Sequence, residues 1–157
     1  MQLTVYRDEG GFKALQGEWN DLVRRSAFNT VFLTWEWQAT WWRSLGKGDL
    51  WLLAWHDPPG TLVGLAPLYL NTEDGRRTLS LIGCRDVSDY LDLIIAAGRE
   101  AEVHDAFLAW LAGPDAPSWD VLDLCNLPET SQTYRHLVEA ARSRGYAAEA
   151  TQEDVCP

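Results

Sequence analysis

Residues 49–70 read DLWLLAWHDPPGTLVGLAPLYL, and the fold turns on how this stretch is read. Two almost continuous apolar runs, Leu50–Trp55 and Thr61–Leu70, flank Asp57-Pro58-Pro59-Gly60. Each proline fixes its own φ, Pro59 drives Pro58 out of the helical region, and Gly60 tolerates positive φ, so the break is a turn. Short apolar runs bounded by turn residues predict the two strands of a hairpin. Neither run alternates polar with apolar, which predicts a sheet covered on both faces, with helices as the cover. Pro67 has no N–H to donate and predicts a bulge or a break in pairing. Gly64, inside a β-prone run, predicts the close approach of a neighbour.

The covering helices are legible before the hairpin. Leu3–Tyr6 is a short first strand. In Gly11–Ser26 the residues Phe12, Leu15, Trp19, Leu22 and Val23 fall within about 100° of helical arc, a single buried stripe. Thr34–Leu45 is a second helix, capped by Thr34 and stopped by Gly46. Its Trp35, Trp37, Trp41, Trp42 and Leu45 spread over roughly 160°, wider than one core contact requires. Gln38 lies inside that arc, and a buried amide either bonds to neighbouring backbone or faces a cavity. Trp37 and Trp41 are expected on the hairpin side. Trp35 and Trp42, grouped with Gln38, are expected on a surface that meets a ligand or another domain. Core packing alone is the competing reading.

After the hairpin, Asn71–Arg76 is a polar turn and Arg77–Gly83 a third strand of an antiparallel meander. Asp89–Ile95 reads as a strand extension, with Asp89 on one face and Tyr90 and Asp92 on the other. Acids at a strand's start either bind hydroxyls and move protons, or end the strand by bonding to loop backbone. Arg99–Leu111 is a third helix on Val103, Phe107 and Trp110, with His104 a satisfied or half-exposed rather than a catalytic histidine. Asp120–Cys125 is a central-strand candidate and Thr130–Arg144 a fourth helix. Tyr146–Thr151 begins a last strand. A helix before Asp120–Cys125 allows a parallel crossover. The predicted class is therefore α/β (α+β), a mixed, mainly antiparallel sheet with helices on both faces.

The chain has 157 residues, enough for one domain with a real core. Its 13 basic and 23 acidic residues give a formal charge of −10. That balance excludes nucleic acid as an expected partner, since nucleic acid is bound by neutralising its phosphates. No apolar run reaches the ~18 residues of a membrane span, and MQLTVYRDEGG is no signal peptide. A cytoplasmic protein is expected. Cys84, Cys125 and Cys156 are far apart and odd in number, so no disulfide framework is implied. His56, His104 and His136 lack metal-ligand spacing, so no metal site is expected.

Several stretches resemble a known family. Phe32-Leu33-Thr34-Trp35-Glu36-Trp37 with Trp41-Trp42, then Leu62–Leu68, Leu81-Ile82-Gly83 and Asp89-Tyr90-Leu91-Asp92 are similar to the amino-terminal half of the GNAT/FemAB-like acetyltransferases named for cellulose biosynthesis (CelD-like). The resemblance implies a GNAT-like domain over residues 1–157, the amino-terminal half of an acyl-CoA-dependent N-acyltransferase. It implies scaffold and acceptor-side contacts on this chain, with Trp35, Gln38, Trp42, Asp89, Tyr90 and Asp92 as candidate substrate-binding residues and a small molecule or sugar as possible acceptor. Acetyl-CoA or a related donor is implied for the parent protein and no cofactor for this chain. A GNAT donor site uses Gln/Arg-x-x-Gly-x-Gly/Ala at a helix start, where backbone N–H groups meet phosphate. The matching place before Arg99 reads DLIIAAG, without the basic or amide residue and without the glycine pair. The isolated chain is accordingly expected to be inactive, its partner being the carboxy-terminal half of the same protein. The alternative is a stand-alone, non-catalytic binding or partner-interaction domain that uses the Trp-rich surface.

Overall fold

The computed structural model describes residues 1–84, 87–153 and 155. The hairpin forms as expected: β2 (Asp49–Asp57) and β3 (Thr61–Glu73) pair antiparallel from Asp49↔Leu70 to Asp57↔Thr61. Every residue from Leu50 to Trp55 and from Leu62 to Leu68 is buried. β1 (Gln2–Tyr6) adds to β2, and β4 (Arg76–Leu81) adds to β3 through the Asp74-Gly75 turn, where both residues have positive φ. β6 (Val121–Asp123) runs parallel to β4, giving the order β1-β2-β3-β4-β6.

Both faces are covered. On one side lie α1 (Gly10–Arg25) and α2 (Trp35–Leu45), reached through a short 3-10 turn at Val31–Leu33. Gly11 of α1 abuts Leu52, and Trp41 of α2 meets Tyr69 with ring centroids 5.6 Å apart. On the other side α3 (Glu100–Leu111) packs Trp110 on Trp51 at 5.7 Å and Phe107 on Trp55 at 6.4 Å. Gly64 explains how closely α3 approaches. A Cβ there would stand 2.8 Å from a methyl of Val103. Thr34 caps α2 through Trp37 N–H at 3.4 Å, and Gly46 follows its last residue.

Five expectations change. Pro67 stays in register opposite Leu52, and the bulge lies instead between Trp55 and His56. The second edge of β3, however, does pass from one partner to another around Pro67, from β5 (Ile94–Ile95) at Gly64–Leu65 to β4 from Leu68 onward. Second, Asp89–Leu93 is no strand. Leu91, Asp92 and Leu93 are all buried and Tyr90 sits at φ +53°, so the two-residue alternation fails and only Ile94–Ile95 pairs. Third, Asp120–Cys125 is an edge strand, not a central one. Fourth, the last helix opens as a π-helical stretch at Thr133–Leu137 before α4 (Val138–Ser143), and Tyr146–Thr151 forms no strand. Fifth, Cys84 and Cys125 form a disulfide, with Cα atoms 5.8 Å apart. The parallel pairing of β4 with β6 sets Ser80 opposite Asp123, so the chain leaves both strands at the same level and brings the two cysteines together. Cys156 lies outside the described residues.

Candidate functional site

The chain leaves β4, makes an excursion, and returns to the same edge of β3 as β5. The end of that excursion, Ser88–Asp92, is fastened by three hydrogen bonds to two distant residues, Trp37 and Asn126. Trp37 Nε1 donates to Ser88 Oγ at 2.9 Å, Asn126 Nδ2 donates to the Ser88 carbonyl at 2.5 Å, and Leu91 N–H donates to the Asn126 carbonyl at 3.0 Å. Asn126 itself sits at φ +58°, a conformation that asparagine tolerates better than most residues.

Asp92 is the chemical centre of this arrangement. It is 4% exposed. Ser131 Oγ donates to its Oδ2 at 2.6 Å, and Leu93 N–H donates to its Oδ1 at 2.8 Å. Burial pushes its carboxyl up to about 6, against the opposing pull of hydrogen bonds from the Ser131 and Thr133 hydroxyls and from Leu93 N–H. Thr133 Oγ1 also lies 3.1 Å from His104 Nε2. His104 is 3% exposed, and its Nδ1 has no hydrogen-bond partner among the described residues. Burial lowers its imidazole to about 4, with the nearby His136 pushing the same way. A carboxylate, two hydroxyls and a neutral imidazole thus form one buried polar chain joining the excursion, the π-helical turn and α3.

Beside Asp92 is a cavity of about 20 Å³, room for one water-sized group. Ser26 and Phe28 from the α1–α2 connection, Ile95 of β5, Glu100 of α3 and Thr133 line it together with Asp92.

The start of α3 is strongly acidic. Glu100 and Glu102 occupy its first turn. The Arg99 guanidinium is held by Asp57 and by Glu102, and that pairing raises it further above its already high range and lowers Asp57. The N–H groups of Ala96, Ala97 and Arg99 donate to the carbonyls of Val63, Arg25 and Ala96.

The other sequence candidates do not converge on one surface. Trp35 is half-buried against α1, its Nε1 donating to the Phe12 carbonyl at 2.7 Å. Gln38 is 1% exposed and bonds to backbone: its Nε2 donates to the carbonyls of Phe32 at 2.7 Å and Ile82 at 3.1 Å. Trp42 is half-buried against Tyr69. Asp89 and Tyr90 are exposed, three and two positions before Asp92. Ser131, Thr133 and His104, none of them a candidate from the sequence, complete the network around Asp92. The visible signal was a hydroxyl-rich helix start, Thr130-Ser131-Gln132-Thr133, but nothing in it names an acid 39 residues earlier as the partner.

No protein-family model and no curated protein matches the sequence. Solved structures do match it. An aminoglycoside acetyltransferase from an uncultured soil metagenomic sample superposes with a TM-score of 0.57 at 16% identity, covering 100% of this chain and 99% of that one. A ribosomal-protein-alanine N-acetyltransferase from Brucella melitensis biovar Abortus 2308 gives 0.53 at 14% identity, with 99% of each chain covered. An acetyltransferase from Trypanosoma brucei gives 0.52 at 14%, covering 99% of this chain and 100% of that one. The six-stranded, mostly antiparallel sheet with its helices is the fold of the GNAT acetyltransferases.

Proposed function

We propose that this chain is the GNAT-fold, non-donor half of an acyl-CoA-dependent N-acyltransferase. It supplies scaffold and acceptor-side contacts, while acetyl-CoA or a related thioester is held by a carboxy-terminal half of the same protein. The observation that carries this reading is the start of α3. A pyrophosphate needs free N–H groups and positive potential at a helix start. Here two glutamates fill the first turn, and the arginine that precedes it is neutralised by Asp57 and Glu102, so the helix start carries negative rather than positive potential. The acidic balance of the whole chain, −10, works in the same direction. The CelD-like stretches and the likeness to acetyltransferase folds supply the reaction class.

An assay of thiol release from acetyl-CoA with a panel of amines tests the reading. Activity in the protein carrying both halves, with none from residues 1–157 alone, is the expected result. Turnover by residues 1–157 alone would refute it.

A further inference from the structure

We propose that the cavity beside Asp92 binds the ammonium group of a small amine ligand and holds it as an anchor, distinct from the nitrogen that reacts. The inference rests on the acceptor-side role proposed above and gives it a place and a chemistry.

A buried carboxylate is ordinarily paired with a cation or neutralised. Among the described residues the contacts of Asp92 are instead two hydroxyls and a main-chain N–H. Among the described residues, the two arginines that adjoin the lining in the chain are committed elsewhere: Arg25 to Asp21 and the Leu62 carbonyl, Arg99 to Asp57 and Glu102. His104 is held neutral by burial. The lining holds a second carboxylate, Glu100, and no Lys, Arg or His. Its volume of about 20 Å³ suits a water or a primary ammonium head. It excludes a quaternary ammonium head or a sugar ring. Phe28, Leu93 and Ile95 supply an apolar wall for an alkyl stem.

The anchoring role follows from acid–base chemistry. An amine attacks a thioester carbonyl through its lone pair and must be neutral to do so. An ammonium clasped by a carboxylate has its charged form favoured and its lone pair blocked. The group held here is therefore a second polar end of the ligand, as in a diamine whose ammonium is carried on an alkyl stem.

Titrating ethylammonium chloride into the ¹⁵N-labelled chain at neutral pH, with tetramethylammonium as the oversized control, tests this. The expected result is a saturable shift of the Leu93, Ser131 and Thr133 amides with ethylammonium alone. Asp92→Asn weakens it by at least about tenfold through loss of the charge-assisted contact, and Glu100→Gln by about threefold through loss of a screened rim charge. Absence of a saturable shift in the parent chain, an equal response to tetramethylammonium, or unchanged affinity in either variant overturns the inference. Glu100→Gln decides alone if Asp92→Asn fails to fold. Amine binding by this chain beside an inactive two-half protein keeps the inference and removes the acyltransferase reading. An active two-half protein whose chain binds no amine removes the inference alone.

Discussion

Ser131 Oγ donates a 2.6 Å hydrogen bond to Asp92 Oδ2 across 39 positions of sequence, and through Thr133 the same polar chain reaches His104 on α3. Two titratable groups with opposed preferences are thereby buried in one network.

Their pH signatures run in opposite directions. The folded pKa of Asp92, about 6, lies above the unfolded value, so the native state binds the extra proton between them. The stability it contributes is therefore full at low pH and is lost as pH rises through that window. The folded pKa of His104, about 4, lies below its unfolded value, so its contribution grows with pH over much the same interval. Thermal unfolding between about pH 4 and 6.5 should be nearly flat in the parent chain, since the two slopes, each worth up to about 3 kcal/mol, oppose one another. Asp92→Asn should uncover a melting temperature that rises with pH, and His104→Gln one that falls. Glu100, Asp105 and His136 face the histidine in every variant and leave those signs unchanged. Parallel profiles for parent and variants would show that the groups do not titrate as described.

Gly64 is the point of closest approach between β3 and α3. Gly64→Val overlaps the Val103 methyls and should cost more than about 1 kcal/mol, in the range typical of overpacking. Adding Val103→Ala should recover part of that loss. A denaturant titration of the four-member cycle reads the coupling, and additive losses would mean that the contact is not the cause.

Gln38 fastens α2 to the backbone at Phe32 and Ile82. Gln38→Ala leaves two carbonyls without their donor and should cost about 1–3 kcal/mol. Gln38→Glu sets a buried carboxylate against those same oxygens. It should be worse than alanine at neutral pH and recover as pH falls, because only the protonated acid can donate. If glutamate were tolerated as well as alanine at pH 7.5, the amide would not be the fastening.

The Cys84–Cys125 bond closes a long loop between β4 and β6. Its reduction should lower stability by about 4 kcal/mol on loop-entropy grounds. Thiol counting in denaturant should find one free group before reduction, that of Cys156, and three after it.

How much of this was legible in the sequence depended on the range of the interaction. The hairpin, the stripe of α1 and the caps of α2 are encoded by residues within a few positions of one another, and they form where the pattern puts them. Gly64 was readable because a glycine in a β-prone run calls for a neighbour, though not for Val103 in particular. Asp89–Leu93 misled because apolar and acidic residues alternate there, while the backbone is set by Asn126, Trp37 and Ser131, all far away in sequence. The disulfide stayed hidden for the same reason: only the parallel β4–β6 register brings Cys84 beside Cys125. Of the site candidates, Asp92 lies at the centre of the buried network. Gln38 took the backbone-bonding course of the two left open for it, and Trp35 and Trp42 pack against different neighbours. Trp35, Trp42, Asp89 and Tyr90 remain candidates for contact with a ligand or a second half.

The central claim is that this chain does not hold the acyl donor, and calorimetric titration with coenzyme A at low salt tests it most directly. The acidic α3 start and its neutralised Arg99 lead to no measurable heat of binding. Micromolar affinity that weakens as salt is added, the mark of phosphate recognition by charge, would contradict the account.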